Sequence, residues 1–420
     1  MSCLGYQHDE LFIEGLSLKT IAEEFGTPCY VYSRAAIERN WREFNVAFQA
    51  IPHLICYAVK ANSNIAILNL LAKLNAGFDI VSLGELKRVL AAKGDPKKII
   101  FSGVGKSEHE IEFAIQKDIY CIDVESEPEL ERIGAIAAKL KKTVNIALRV
   151  NPNVNPKTHS HISTGLSENK FGIDINDAMA LARKIQTIPS LSLIGIACHI
   201  GSQITELDPF RFALDSIIQL YQQLLTINIQ IKHLNIGGGL GIVYGDETPP
   251  SIHMYAQALK EKMNGLPIHL ILEPGRAIVG NAGALLTRVE YLKHTHHKNF
   301  AIVDAGMNDL LRPALYDAWQ RILPVIKRQD NKCLYDIAGP VCESADFFGK
   351  NRELALQAND LLAIDSAGAY GFSMSSNYNS RCRPAEVLVD KNNAILIRRR
   401  ETFDELFASE IPIGVSENGF

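Results

Sequence analysis

From His53 to His269 the chain alternates short runs rich in β-branched and aromatic residues with longer segments of helical spacing, which restricts its possible folds more than any other feature. The runs start near His53, Gly77, Lys98, Tyr120, Val144, Leu193, Ile231 and His269, which makes about eight strands. Between them Leu83, Leu86, Val89 and Leu90 share one helical face, as do the apolar residues of 210–225. A strand, a helix and another strand in regular succession imply a parallel sheet, because parallel neighbours need a crossover between them. Two architectures satisfy this, an open doubly wound sheet and a closed (β/α)8 barrel.

The polar residues favour the barrel. Lys60 follows the first run, Asp79 and Ser82 close the second, and Arg149 and Asn151 follow the fifth. His199 ends the sixth, the glycines of NIGGGLG (Gly237, Gly238, Gly239) follow the seventh, and the string Glu273, Pro274, Gly275, Arg276 ends the eighth. All lie at carboxyl ends, which a barrel gathers on one face and an open sheet spreads across its width. The expectation is an α/β chain with a (β/α)8 TIM-type barrel over residues 36–276.

Beyond residue 277 the pattern changes to frequent short β-type runs (301–303, 361–364, 394–398) broken by Gly, Asn, Asp and Pro. A further β-like stretch at 28–32 precedes the first barrel helix, expected around 37–48. Residues 1–35 are therefore expected to join 277–420 in a mostly antiparallel β domain. A length of 420 residues with 47% hydrophobic content supports two such cores.

Charge and cysteine usage exclude several function classes. A formal net charge of -4 with no dominant basic segment argues against nucleic acid as partner. Of eight cysteines none forms a CxxC pair, and Cys56, Cys121 and Cys198 lie in apolar runs, as expected in a reducing compartment. The N-terminus lacks a basic segment followed by an apolar one, and no run of about 18 apolar residues occurs. A soluble cytoplasmic chain with no membrane partner is expected. His294, His296 and His297 read as a solvated turn, so no metal is expected.

The residues at the strand ends describe a chemistry. A lysine amine such as that of Lys60 condenses with an aldehyde when a partly dry pocket keeps some of it uncharged. Glycine backbone N–H groups at 237–239 can approach a phosphate closely, with Ser202 as an added donor. The His199 ring can stack on a flat group. Glu273, a carboxylate at the end of an apolar strand, calls for a partner such as a protonated pyridine nitrogen. Together these fit pyridoxal 5'-phosphate. Each also has a plainer reading: a solvated lysine, turn glycines, a core histidine, and a structural ion pair between Glu273 and Arg276. In the second domain Arg312 and Tyr316 stand four apart, Cys342 adjoins Glu343, and GAYGFSMSSNYNSR supplies Tyr370 and Tyr378, all of which could equally be structural.

The ordered strings YAVKAN, FDIVSLGE, STGLSENKFGI, HIGSQI, IGGGLG, EPGR, LRPALY, GPVCESADFFGK and GAYGFSMSSNYNSR resemble the meso-diaminopimelate decarboxylase family of fold type III pyridoxal-phosphate enzymes, over nearly the whole chain. The resemblance implies that Lys60 holds the cofactor aldehyde and that His199 packs on its ring. Ser202, the three glycines and the Glu273–Arg276 backbone would then hold phosphate, with Glu273 on the pyridinium and Asp79 and Tyr370 also contacting the cofactor. It further implies a homodimer with shared active sites, in which Cys342 donates a proton and Glu343 reaches into the partner's barrel. Arg276, Arg312, Tyr316 and Tyr370 would contact the substrate with Glu343. A distal carboxylate needs a cationic clamp and a distal ammonium an anion, which favours diaminopimelate over lysine or ornithine. A D-ornithine or D-lysine decarboxylase, an amino-acid racemase and a non-catalytic homologue remain alternatives, and trapping carbon dioxide separates them.

Overall fold

A computed structural model describes residues 2–154 and 170–413. Most of the string STGLSENKFGI, residues 163–169, lies outside the described residues. The chain divides into two compact units, Ala36–Asn281 and Met1–Ala35 with Ala282–Phe420.

The unit Ala36–Asn281 is a closed parallel barrel. Its strands are His53–Ala58, Gly77–Ile80, Ile99–Phe101, Cys121–Val124, Val144–Asn151, Leu191–Ala197, His233–Asn235 and His269–Leu272. Each pairs in parallel with the next, and the eighth pairs with the first to complete the ring. Closure leaves no free edge, so every strand is buried on both faces and reads as a nearly continuous apolar run. Among the interior side chains Cys56, Ile100 and Ile271 form one cluster, and Cys121, Ala147, Ile194 and Ala197 another. The fifth strand is longer than its apolar run suggests and contains both Arg149 and Asn151, because a short extra strand, Ile173–Asp174, extends the ladder at Val150 and Asn151.

Helix starts follow serine caps. Ser82 accepts from the Glu85 N–H ahead of helix Leu83–Ala91, which buries Leu86 and Val89. Ser107 forms a full capping box with Glu110, and Ser126 caps helix Glu127–Lys139 while the Glu129 carboxylate accepts from the Glu125 N–H. Helix Asp208–Thr226 buries Phe210, Leu214, Ile217 and Leu224 on one side and leaves Phe212 and Leu225 exposed on the other.

The second unit is mostly antiparallel. Its strand path runs Phe347–Leu354, Cys333–Ala338, Asn299–Val303, Gly283–His294, Cys29–Ser33, Ala385–Asp390, Asn393–Arg398. Two pairings are parallel: Asn299–Val303 with Cys333–Ala338, and Ala385–Asp390 with Cys29–Ser33. The early strand Cys29–Ser33 thus lies between two strands from late in the chain. Behind it Leu11, Ile13, Leu18 and Ile21 pack with Val31, Leu286, Ala363 and Val387. His294 ends the strand Gly283–His294, where its Nδ1 meets Asn299 Oδ1 at 2.9 Å, and His296 and His297 lie in the exposed turn that follows. Among the described residues no cluster of three or more His, Cys, Asp or Glu could hold a metal, and no helix is long and apolar enough to cross a membrane.

Candidate active site

Lys60 lies in the 3-10 turn Val59–Ala61 that ends the first barrel strand, and its Nζ stands 2.9 Å from Asp79 Oδ2 at the end of the second. Asp79 is wholly buried, while the Lys60 side chain is 36% exposed, so a dry carboxylate holds a half-solvated amine at the barrel mouth. Lys60 lines a cavity of about 420 Å³ together with Ser102, Asp123, Arg149, His199 and Glu273. That volume is in the usual range for a small-molecule site.

Glu273 follows the eighth strand and is buried. Its Oε1 accepts from Asn235 Nδ2 at 2.6 Å, so the plain alternative of an ion pair with Arg276 is not how this carboxyl is satisfied. Burial, and after it the charges of Asp79 and Asp123, pushes Glu273 well above the usual carboxylate range, against the pull of Lys60 and Asn235. A cationic N–H partner in the cavity is what would let this group ionise. His199 is pushed the other way, well below the ordinary imidazole value, by burial and then by Lys60 and Arg149. Its Nδ1 accepts from the Gly238 N–H at 3.3 Å, which fixes the neutral ring with its proton on Nε2.

The glycine string is packed too closely for side chains. A Cβ on Gly238 would run into the carbonyl oxygen of Glu273, and one on Gly237, whose φ is +71°, would stand 2.6 Å from His199 Nδ1. Asn235 ties the pieces together, since its Oδ1 accepts from the Gly237 N–H at 2.9 Å while its amide serves Glu273. Beside this loop Arg276 donates to Ser202 Oγ through Nε (3.3 Å) and Nη2 (2.9 Å), and to the Tyr244 hydroxyl at 2.5 Å. With Arg276 supplying its donors, the Ser202 hydroxyl proton is left to point to another acceptor. Pro274 and Gly275 carry the chain between Glu273 and Arg276, and the Pro274 carbonyl accepts from the Ala58 N–H at 3.2 Å.

Amine, carboxyl, neutral imidazole and glycine backbone are therefore gathered in one unit, as a phosphorylated pyridine aldehyde requires. Sequence reasoning missed Asp123, Asn235, Tyr244 and the pair of Arg149 Nη1 with Glu125 Oε1 at 2.5 Å. Asp123 had a signal: FDIVSLGE and IDVESEPE both place Asp, Ser and Glu three apart, a strand-end acid followed by a helix cap.

The remaining candidates lie in the other unit. Arg312 opens the short helix Arg312–Tyr316 and is buried, with Tyr316 at its end. Cys342 and Glu343 are exposed, and the Cys342 N–H donates to Asn379 Oδ1 at 2.7 Å. Asp346 holds their loop, accepting from the Val341 N–H at 2.7 Å and the Met307 N–H at 2.6 Å. Tyr370 is half-buried with φ +56°.

Residues 34–280 match the family described as "Pyridoxal-dependent decarboxylase, pyridoxal binding domain". The diaminopimelate decarboxylase of Vibrio cholerae is 55% identical over 412 residues, covering 98% of this chain and 99% of that protein. That of Pseudomonas aeruginosa is likewise 55% identical, over 98% and 99% of the two. Among solved structures, diaminopimelate decarboxylase from Helicobacter pylori complexed with L-lysine superposes with TM-score 0.91 at 40% identity, over 93% of this chain and 98% of that one.

Proposed function

The chain belongs to the diaminopimelate decarboxylases, within the pyridoxal-dependent decarboxylase family, and from that membership and the mouth geometry we propose how its residues act. It is a pyridoxal-phosphate-dependent carboxy-lyase that converts meso-2,6-diaminopimelate to L-lysine and carbon dioxide. The observation that carries the site assignment is the Lys60 amine at 2.9 Å from buried Asp79, in a cavity shared with Glu273 and His199. When bound, the cofactor's protonated ring accepts the electron pair left at Cα as carbon dioxide departs.

Lys60 would hold the cofactor at its aldehyde, and Asp79 keeps the lysine ammonium in place before cofactor arrives. Glu273 would hold the pyridine nitrogen protonated, a role for which its dry setting suits it, because an anion there is stable only beside a cation. His199, neutral and fixed through Gly238, supplies a flat apolar face rather than a charge. The Gly237–Gly239 backbone and Ser202 would bind phosphate, with Arg276 orienting Ser202. The other unit would serve the distal end of the substrate: Arg312 and Tyr316 its carboxylate, Glu343 its ammonium, and Tyr370 the cofactor. Cys342 would return a proton to Cα. As in the resemblance, the enzyme would be a homodimer in which Cys342 and Glu343 complete the partner's site. The thiols at Cys56, Cys121 and Cys198, all unpaired, support a reducing, cytoplasmic setting.

Carbon dioxide release from meso-diaminopimelate, L-lysine and both ornithine enantiomers, measured with added cofactor, tests the assignment. Release from diaminopimelate alone is expected. Release from ornithine or lysine at comparable rate, or none from diaminopimelate, would overturn it.

A further inference from the structure

Three inward carboxyls meet at the barrel mouth: Asp79 at 0% exposure, Asp123 at 2% and Glu273 at 7%. The cations around them are mostly committed. Lys60 pairs with Asp79, and Arg149 pairs with Glu125. Lys106, itself buried, pairs with Glu129 at 2.8 Å and donates to the backbone oxygens of Gly103 and Asp123 at 2.7 and 2.6 Å. The cofactor's pyridinium would answer Glu273. Among the described residues Asp123 is the one of these three carboxyls left without a cation of its own, Lys106 and Arg149 standing near it but paired elsewhere.

Its hydrogen bonding points the same way. Asp123 Oδ2 accepts from the Ser102 hydroxyl at 3.2 Å, whereas its Oδ1, like that of Asp79, is buried with no hydrogen-bond partner among the described residues, and Asp123 lines the cavity. A carboxylate in that position leaves an oxygen unsatisfied in a dry site, which disfavours the charged form. A carboxylic acid with its proton on Oδ1 is instead a donor aimed at whatever acceptor fills the cavity.

We propose that Asp123 is a positioning residue for the bound cofactor: held as the neutral acid, it offers an O–H to an acceptor atom of the ligand, and its ionisation loosens cofactor binding. This inference rests on the cofactor assignment above. The groups that act on Asp123 come from every neighbouring strand. Lys106 and Arg149 favour its anion, while Asp79 and Glu125 oppose it. Glu273 adds opposition from the eighth strand. The thiols of Cys56 and Cys121 are held well above the ordinary cysteine value by burial and stay neutral throughout, and Lys60 lines the same cavity. Burial outweighs the two cations and pushes the Asp123 carboxyl up to about 7.

The sign of the linkage follows. A phosphorylated pyridoxal is a net anion, so it binds better to a site in which Asp123 is protonated, and binding raises the affinity of Asp123 for that proton by the same factor. The contribution of Asp123 to cofactor affinity should therefore be greatest below about pH 7 and fall as pH rises, by up to tenfold for each pKa unit separating the bound and free states, whatever the Lys60 amine adds in the opposite direction.

The full chain, stripped of cofactor, is titrated with pyridoxal 5'-phosphate at a series of pH values between about 6 and about 8.5, with bound-cofactor absorbance as readout. Asp123→Asn keeps the shape but fixes the group neutral, so only the contribution of Asp123 is removed from the profile. At the acid end the two proteins should bind within about threefold of each other, and at the alkaline end the wild-type Kd should have risen at least about fivefold more than that of the variant. Parallel profiles, or a variant that binds weakly at every pH, would overturn the proposal. Ser102→Ala removes the donor that supports an ionised Oδ2, so it should move the wild-type midpoint to higher pH; an unmoved midpoint counts against the proposal even if Asp123→Asn fails to fold. Wild-type protein that binds no cofactor at any pH would overturn the cofactor assignment itself.

Discussion

Lys60 and Asp79 are a coupled pair of unequal solvation, the amine partly in water and the carboxyl in none. Lys60→Ala should remove carbon dioxide release and the visible absorbance of bound cofactor while leaving the barrel folded. It should also lower stability by about 1–3 kcal/mol, because a buried acceptor loses its donor. Lys60→Ala with Asp79→Asn should recover most of that stability and none of the activity, a cycle read by chemical denaturation and carbon dioxide trapping. Activity surviving in either variant would remove Lys60 from the chemistry. At this scale the sequence was legible where a polar residue interrupted an apolar strand at its carboxyl end, as Lys60, His199 and Glu273 do. It was less legible for Asn235 and Tyr244, whose roles depend on which side chain lies opposite them. Asn235 sits in the glycine string that drew attention to phosphate, but nothing in NIGGGLG says that its amide would reach Glu273.

Element by element, the barrel strands were readable because closure buries both faces and writes each strand as an apolar run. Boundaries were less so: the sixth and seventh strands begin at Leu191 and His233, each two residues from where the runs suggested, and the fifth continues to Asn151 through its pairing with Ile173–Asp174. Helix starts carry a clearer code. The repeated Asp-x-x-Ser-x-x-Glu pattern makes one unit of the strand-end acid, the cap and the reaching glutamate, so the site residue and the helix that follows it are placed together. Ser126→Ala should therefore cost about 1 kcal/mol of stability. It should also disturb Asp123, three residues earlier, and weaken cofactor binding several-fold, measured by the same absorbance titration. A stability loss with unchanged cofactor affinity would show that cap and site are independent.

For the whole molecule, the proposed shared site makes a prediction that neither unit makes alone. If Cys342 acts in a partner's barrel, the inactive variants Lys60→Ala and Cys342→Ala, mixed under conditions that exchange subunits, should regain about one quarter of native carbon dioxide release, since half of the random dimers would hold one intact site of two. No recovery would place Cys342 and Lys60 in the same chain's site or remove the thiol from the reaction. The two-unit architecture was legible from the change in pattern near residue 277, whereas the mixed parallel and antiparallel pairing of the second sheet was not, because short runs of similar composition do not specify their neighbours. The position of Cys29–Ser33 between Gly283–His294 and Ala385–Asp390 has a consequence for biosynthesis. This strand leaves the ribosome early, yet one of its neighbours follows about 350 residues later, a wait of roughly 20 to 70 seconds at ordinary translation rates. Through that interval at least one of its edges is open to pairing with other nascent chains, so chaperones that shield emerging segments should matter more to the yield of this protein than the ease with which its barrel closes.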